Sequence, residues 1–85
     1  MLRQLPGLGV KSQSMLFDAG IHDITQLQAL GSVAAYSRVK RIHPEASLNL
    51  LWGIESALTG LAWQDVARQY RTSLLLALEE YEKTI

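Results

Sequence analysis

The hydrophobic positions of the chain recur at the helical period of about 3.6 residues, and no segment alternates for long enough to be a strand. A first helix is predicted from about residue 10 or 11 to residue 19, with Met15 and Leu16 on its apolar face. Gly20 follows at the position where a left-handed residue commonly ends a helix. The pattern therefore indicates a short helix that begins just after the N-terminal glycines.

Capping residues mark the next two helices. Asp23 and Gln26 have the spacing of a capping box, and Gly31 is the expected end of that second helix. Ser32 then stands as the N-cap of a third helix over residues 33–42. These signals predict two short helices separated at the glycine.

The remaining sequence predicts two more helices. The segment 47–60 is apolar on almost all sides, so it belongs in the middle of the domain. A final helix is expected over residues 67–81, preceded by a short turn that buries Trp63, and Trp52 is assigned to the core as well. The fold class is therefore all-α, with five short helices in a single domain over residues 1–85.

Composition narrows the classes of function. Of 85 residues, 48% are hydrophobic and none is cysteine, which excludes a disulfide framework and a thiolate metal site and fits the cytoplasm. No apolar run approaches the length of a membrane span. Lys and Arg number 8, as do Asp and Glu, whereas non-specific nucleic-acid binders are usually strongly basic.

The stretch "LPGLGVKS" at residues 5–12 resembles the hairpin of helix-hairpin-helix domains, which implies a helix-hairpin-helix/SAM-like orthogonal bundle. In that motif, backbone N–H groups at a helix start bind DNA phosphate. The corresponding candidates for nucleic-acid binding are Gly7, Leu8, Gly9, Lys11 and Ser12. The alternative is a tight corner, in which Leu5 and Leu8 are anchored in the core.

A basic cluster, "SRVKRIH", supplies the other candidates for nucleic-acid binding, Arg38, Lys40 and Arg41. These residues could meet phosphates or an acidic partner, and the alternative is a solvated helix face. Glu55, the carboxylate of the apolar fourth helix, either reaches solvent or forms an ion pair with a basic residue such as Arg38 or Lys40, and the ion pair is the expectation.

Nothing in the sequence predicts an enzyme or a cofactor. The two histidines, His22 and His43, are far apart and have no recognised metal-ligand spacing. No nucleophile motif accompanies them, so no catalytic residue is assigned.

The pattern extends well beyond the hairpin. "LPGLGVKSQSMLFDAGIHDITQLQALGSVAAYSRVK", then "SLNLLWGIESALTG", then Trp63 resemble the C-terminal domain of the TfoX/Sxy family of bacterial competence regulators. The resemblance covers the chain from Leu5 to about Leu75. It is specific because several motifs, among them LPxLGxKS, AYxRxK and SLNLLxxxExALTG, occur in the same order.

The resemblance implies a non-enzymatic domain of a transcription co-activator for natural competence genes. Family members are thought to act with the cyclic-AMP receptor protein, and full-length members carry an N-terminal α/β domain that this sequence does not show. We expect action mainly by protein contact with that receptor or other transcription machinery, and a homodimer is left open. The alternative is a weak DNA-binding domain that contacts backbone phosphate through the LPGLG loop.

Overall fold

The computed structural model describes residues 8–84, in which five helices follow one another without a strand. The helices are α1 (Val10–Asp18), α2 (Ile24–Ile42), α3 (Leu48–Thr59), α4 (Trp63–Gln69) and α5 (Arg71–Lys83). α2 packs against α1, α3 and α5, while α4 packs against α3 and α5. The all-α class and the number of helices are confirmed, but the structure differs from the prediction at two places.

The local helix signals were correctly identified. The Asp23 carboxylate accepts the N–H of Gln26 at 2.9 Å, and the Gln26 side chain accepts the N–H of His22 at 2.6 Å. Gly20 and Gly60 have φ angles of 85° and 81°, in the left-handed region that favours glycine. Each of these residues acts through its own backbone or through a neighbour, so the sequence was sufficient to predict it.

The division predicted at Gly31 is confirmed, because its φ of 81° and ψ of 165° are not helical and two helical segments meet there at a kink within residues 24–42. The first difference concerns Ser32, the predicted N-cap of the second of these segments. The Ser32 hydroxyl does not cap the following segment and instead donates a 2.6 Å hydrogen bond to Glu55 on α3. The expected ion pair of Glu55 with Arg38 or Lys40 was therefore wrong, because this carboxylate faces the kink of α2.

The second difference concerns the C-terminal helix, which was predicted to run without interruption over residues 67–81. It is divided at Tyr70, where φ is −112° and ψ is 5°, into α4 and α5. The break lets Val66 of α4 and Leu74 of α5 both reach the core from helices of different direction. No glycine or proline marks this position, so the prediction lacked a local signal.

The core joins buried side chains from all five helices and their connections. Trp52 is buried and confirms its assignment, and Leu8 is buried at the entrance to α1. Trp63 is 43% exposed, so the prediction that it is buried was wrong. It is the first residue of α4 and lies at the rim of a cleft beside α1. The fully buried large side chains are those of Leu16, Ile21, Leu27, Val39, Leu51, Ile54 and Val66.

Candidate interaction surface around α1

The start of α1 has backbone N–H groups that the helix itself does not pair. Gly9 is the N-cap residue, with φ −82° and ψ 176°, and has no side chain to cap the helix. The first backbone bond of α1 runs from the N–H of Gln13 to the Gly9 carbonyl at 3.0 Å. The N–H groups of residues 10–12 therefore precede the helical hydrogen-bond ladder. Gly7, the other predicted hairpin glycine, lies outside the described residues.

Leu8 has a structural position within the predicted hairpin. Its side chain is 7% exposed and belongs to the core, while its carbonyl accepts a 3.2 Å hydrogen bond from the Gln13 side chain. The structure thus supports the alternative reading for this residue, a core anchor at a tight corner. Gly9 beside it is exposed and has open space around the position of a Cβ atom.

Lys11 and Ser12 line a cleft of about 300 Å³ that is closed on the opposite side by the start of α3 and by α4. Ser47 and Asn49 contribute polar atoms to the lining, and Trp63 lies among the residues of its wall. The volume of the cleft lies at the lower end of the range for small-molecule sites. Two of the predicted phosphate-binding residues are therefore brought together on one concave surface.

A carboxylate shares this cleft. Glu45 lines it together with Lys11. A hydrogen bond to its own backbone N–H is the main cause that holds the pKa of Glu45 below its usual range, with His43 and the charge of Lys11 as lesser causes. Glu45 is therefore ionised at neutral pH, and its charge offsets that of Lys11.

The three residues of the basic cluster of α2 have different surroundings. The Lys40 ammonium donates to the carbonyls of Pro44 and Ala46, each at 2.7 Å. These bonds fasten the loop after α2 onto the helix, so Lys40 has a structural role. Arg38 and Arg41 are exposed and are not part of the cleft lining within the described chain.

His43, which follows α2, bridges two carboxylates. Its Nε2 lies 3.0 Å from Asp18 Oδ2 at the end of α1, and its Nδ1 lies 3.2 Å from Glu45 Oε2. Both hydrogen bonds raise the pKa of His43 above its usual value, and the bond with Asp18 is the larger cause. Both ring nitrogens donate only in the protonated form. The sequence separates Asp18 from His43 by 25 positions, so no spacing signal could have found this link.

The solvent face of α1 carries two large apolar side chains. Val10 is 84% exposed and Phe17 is 60% exposed, and a separation of seven residues places them on one side of the helix. Phe17 stacks against His22 with ring centroids 4.3 Å apart. Ser14, also exposed, lies between the two apolar residues on that side. The hydrophobic pattern of the sequence did not indicate this face, because helical periodicity identifies the buried side of a helix.

The search of protein-family models decides the family. The family model that matches the chain is that of the TfoX C-terminal domain, and the match covers residues 1–78. The chain belongs to the TfoX C-terminal domain family. The resemblance noted from the sequence motifs is thereby confirmed. No curated protein and no solved structure shows a significant match to the chain.

Membership of the TfoX C-terminal domain family makes this a regulatory type of domain, in a family that is not known to be enzymatic. Within residues 8–84, no three acidic, histidine or cysteine side chains are arranged to hold a metal ion. In the same range, no helix combines the length and the apolar character that crossing a bilayer requires. Two candidate surfaces result: the α1 face (Val10, Ser14 and Phe17), which is exposed, and the cleft that Lys11, Ser12 and Glu45 line.

Proposed function

We propose that this TfoX C-terminal domain is a regulatory module of a bacterial transcription co-activator for natural competence genes, and that it acts in the cytoplasm by protein contact. The observation that carries the proposal is the α1 face, where Val10 and Phe17 are exposed on the same side of the helix, about two turns apart. Single exposed apolar residues are ordinary, but a paired set on one helix face is typical of interaction surfaces. Aromatic side chains such as Phe17 are also enriched at the centres of interfaces.

The cyclic-AMP receptor protein is the partner that we propose first, since members of this family are thought to act with it. The charges around α1 favour a protein over DNA. Lys11 is offset by Glu45 in the same cleft, and the Lys40 ammonium is occupied by two carbonyls. A protein partner can bind a surface that carries both positive and negative charges. The phosphate backbone of DNA instead favours positive charge that no nearby carboxylate offsets.

The test is a binding titration of the domain against purified cyclic-AMP receptor protein with cyclic AMP present. Replacing Val10 and Phe17 together by serine removes the apolar contact, and we expect the affinity to fall about tenfold or more. Leu76→Ser is the matched control, because Leu76 is 58% exposed but lies on α5. Equal affinities for the double variant and the wild type would refute the α1 face as the contact surface. Sedimentation of the free domain tests the homodimer separately.

Weak DNA binding is the second candidate function. The observation in its favour is that Lys11 and Ser12 line one cleft next to the N–H groups at the start of α1. Helix N-termini favour anions, and a lysine beside one adds a full charge. In this case Arg38 and Arg41 would supply the surrounding positive field.

Two charge changes in the cleft test this second function. If the cleft binds a backbone phosphate, Lys11→Gln weakens duplex binding and Glu45→Gln strengthens it, because the carboxylate repels phosphate. The logarithm of the binding constant would fall by about 0.9 per phosphate contact for each tenfold rise in salt. Affinity that is unchanged in both variants would exclude the cleft as a DNA site.

A further inference from the structure

A second concave surface lies away from α1. It is a groove of about 770 Å³ between the kink of α2, the second half of α3 and one side of α5. Its walls are mainly aliphatic, and they are formed by Leu30, Val33, Leu58, Leu74 and Ala77. Leu30, Val33 and Leu58 are only partly buried. Part of the apolar surface of these three side chains is therefore exposed on the groove wall.

Two carboxylates interrupt the apolar lining, Glu55 from α3 and Glu80 from α5. Glu55 is half-buried and accepts the Ser32 hydroxyl, and within residues 8–84 no lysine or arginine lies within ion-pair distance of it. Glu80 has Lys83 at 3.8 Å on its own helix, a long and exposed contact. No basic residue contributes to the described groove lining. The groove is therefore apolar with a net negative charge.

The dimensions of the groove suit a short helix. The lining residues of α5 and its C-cap extend from Leu74 to Thr84, which corresponds to about 15 Å along a helix axis. An amphipathic helix of about three turns would cover that length with one apolar stripe. An extended strand would gain little here, since the surrounding helices have no free backbone edge to pair with it.

We propose that this groove binds an amphipathic helix of a protein partner, whose aliphatic stripe packs on the groove walls and whose arginine or lysine side chains pair with Glu55 and Glu80. A partly desolvated carboxylate gains most from such a cation, because the pair is shielded from water. The net negative charge of the groove favours a basic partner helix, and a second copy of this chain is an outcome that the test below distinguishes.

The groove belongs to α2, α3 and α5 and shares no residue with the α1 face, so this proposal stands independently of the contact proposed there. The probe for the test is a synthetic, fluorescently labelled, alanine-based helical peptide. It carries leucines at spacing i, i+4, i+7 and one arginine on each flank of that stripe. A matched peptide has glutamates in place of the arginines. Binding is measured by fluorescence anisotropy, and the site is mapped from backbone amide shifts in NMR spectra.

Three protein variants complete the design. Glu55→Gln keeps an acceptor for the Ser32 hydroxyl while removing the charge, and Glu80→Gln removes the second charge. Glu79→Gln is the control, because Glu79 also contacts Lys83 but does not line the groove. We expect the arginine peptide to bind with shifts at Leu58 and Ala77. Its affinity should fall about threefold or more in each groove variant and stay unchanged in the control.

The contrary results are equally defined. Equal affinity for the arginine and the glutamate peptide would overturn the proposal, as would equal affinity for wild-type protein and both groove variants. Absence of binding at millimolar peptide would overturn it too. Shifts of the same groove amides on raising the protein concentration alone would assign the groove to a second copy of the chain, against the partner proposed here.

Discussion

The Ser32 hydroxyl donates a hydrogen bond of 2.6 Å to Oε1 of Glu55, and this bond joins the kink of α2 to α3. Ser32 is 6% exposed, so its hydroxyl has little access to water. The bond lies directly after Gly31, where the backbone leaves helical geometry. One polar contact thus supports both the bend of the longest helix and the orientation of a carboxylate in the groove.

Replacing Ser32 by alanine should therefore destabilise the domain. The variant removes a hydrogen bond to a charged group and leaves the half-buried Glu55 carboxylate without its donor. We expect a loss of about 1–3 kcal/mol in the free energy of unfolding, measured by urea denaturation. Ser14→Ala, at an exposed position of α1, is the control and should change stability by less than about 0.5 kcal/mol. Equal effects of the two variants would contradict a structural role for the Ser32–Glu55 bond.

Lys40 should behave differently from the two arginines near it. Lys40→Met keeps the aliphatic stem but removes the donors to Pro44 and Ala46, and we expect a loss of about 1–3 kcal/mol. Arg41→Met, at an exposed position one residue later, should cost less than about 0.5 kcal/mol. Thermal or urea unfolding measures both values. If Lys40→Met were as stable as the wild type, the loop after α2 would not depend on the lysine.

Gly9 and Gly60 should respond in opposite ways to aspartate. The φ of Gly9 is −82° and its Cβ position is open, so Gly9→Asp supplies an N-cap carboxylate without strain. We expect this variant to stabilise α1 by about 0.3–1 kcal/mol. Gly60 has a φ of 81°, and Gly60→Asp should cost about 1 kcal/mol. Melting temperatures test the contrast. Destabilisation by Gly9→Asp would show that the glycine is required for a conformation other than the one described.

The His43 link should make stability depend on pH. Since folding raises the pKa of His43, its contribution is complete below the ordinary value of 6.5 and is lost as the pH rises through the higher folded value. Folding lowers the pKa of Glu45, so that contribution is present above 4.5 and is lost as the pH falls through the lower folded value. Both contributions to stability are therefore fully present between about pH 4.5 and 6.5.

Melting temperatures of the wild type and of His43→Gln test this window. The wild type should exceed the variant most near about pH 6, and the difference should shrink by about pH 8.5. Asp18→Asn, which removes the carboxylate charge that is bonded to Nε2, should flatten the same pH dependence. A difference between wild type and His43→Gln that is constant from pH 6 to 8.5, within about a degree, would contradict the described link.

The sequence predicted those parts of the fold that depend on local chemistry. Asp23 caps α2 and Gly60 ends α3 because each acts on backbone groups within a few residues. The break at Tyr70 was not predictable in this way, because it serves the packing of two helices against different neighbours. The exposure of Trp63 has the same origin, since a tryptophan among aliphatic residues gives no sign that it will lie at the rim of a cleft.

In the candidate site, too, the sequence predicted the local features but not those that depend on how the chain folds. The spacing in "LPGLGVKS" predicted the start of α1 and made Lys11 and Ser12 candidate binding residues. Both residues line the cleft. The sequence did not indicate that Glu45 offsets Lys11, because their shared place in the cleft depends on the loop after α2 packing beside α1. The bonds of Lys40 to two carbonyls of that loop were not indicated either, because they depend on the conformation of the loop.

The most direct test of the central claim is a two-part NMR titration of the isotope-labelled domain at physiological salt. One part uses purified cyclic-AMP receptor protein with cyclic AMP, and the other uses a short mixed-sequence DNA duplex. The account predicts saturable shifts or broadening at Val10, Ser14 and Phe17 with the receptor and none with the duplex. Saturable, salt-sensitive shifts with the duplex at Gly9, Lys11, Ser12, Arg38 and Arg41, without any response to the receptor, would contradict it.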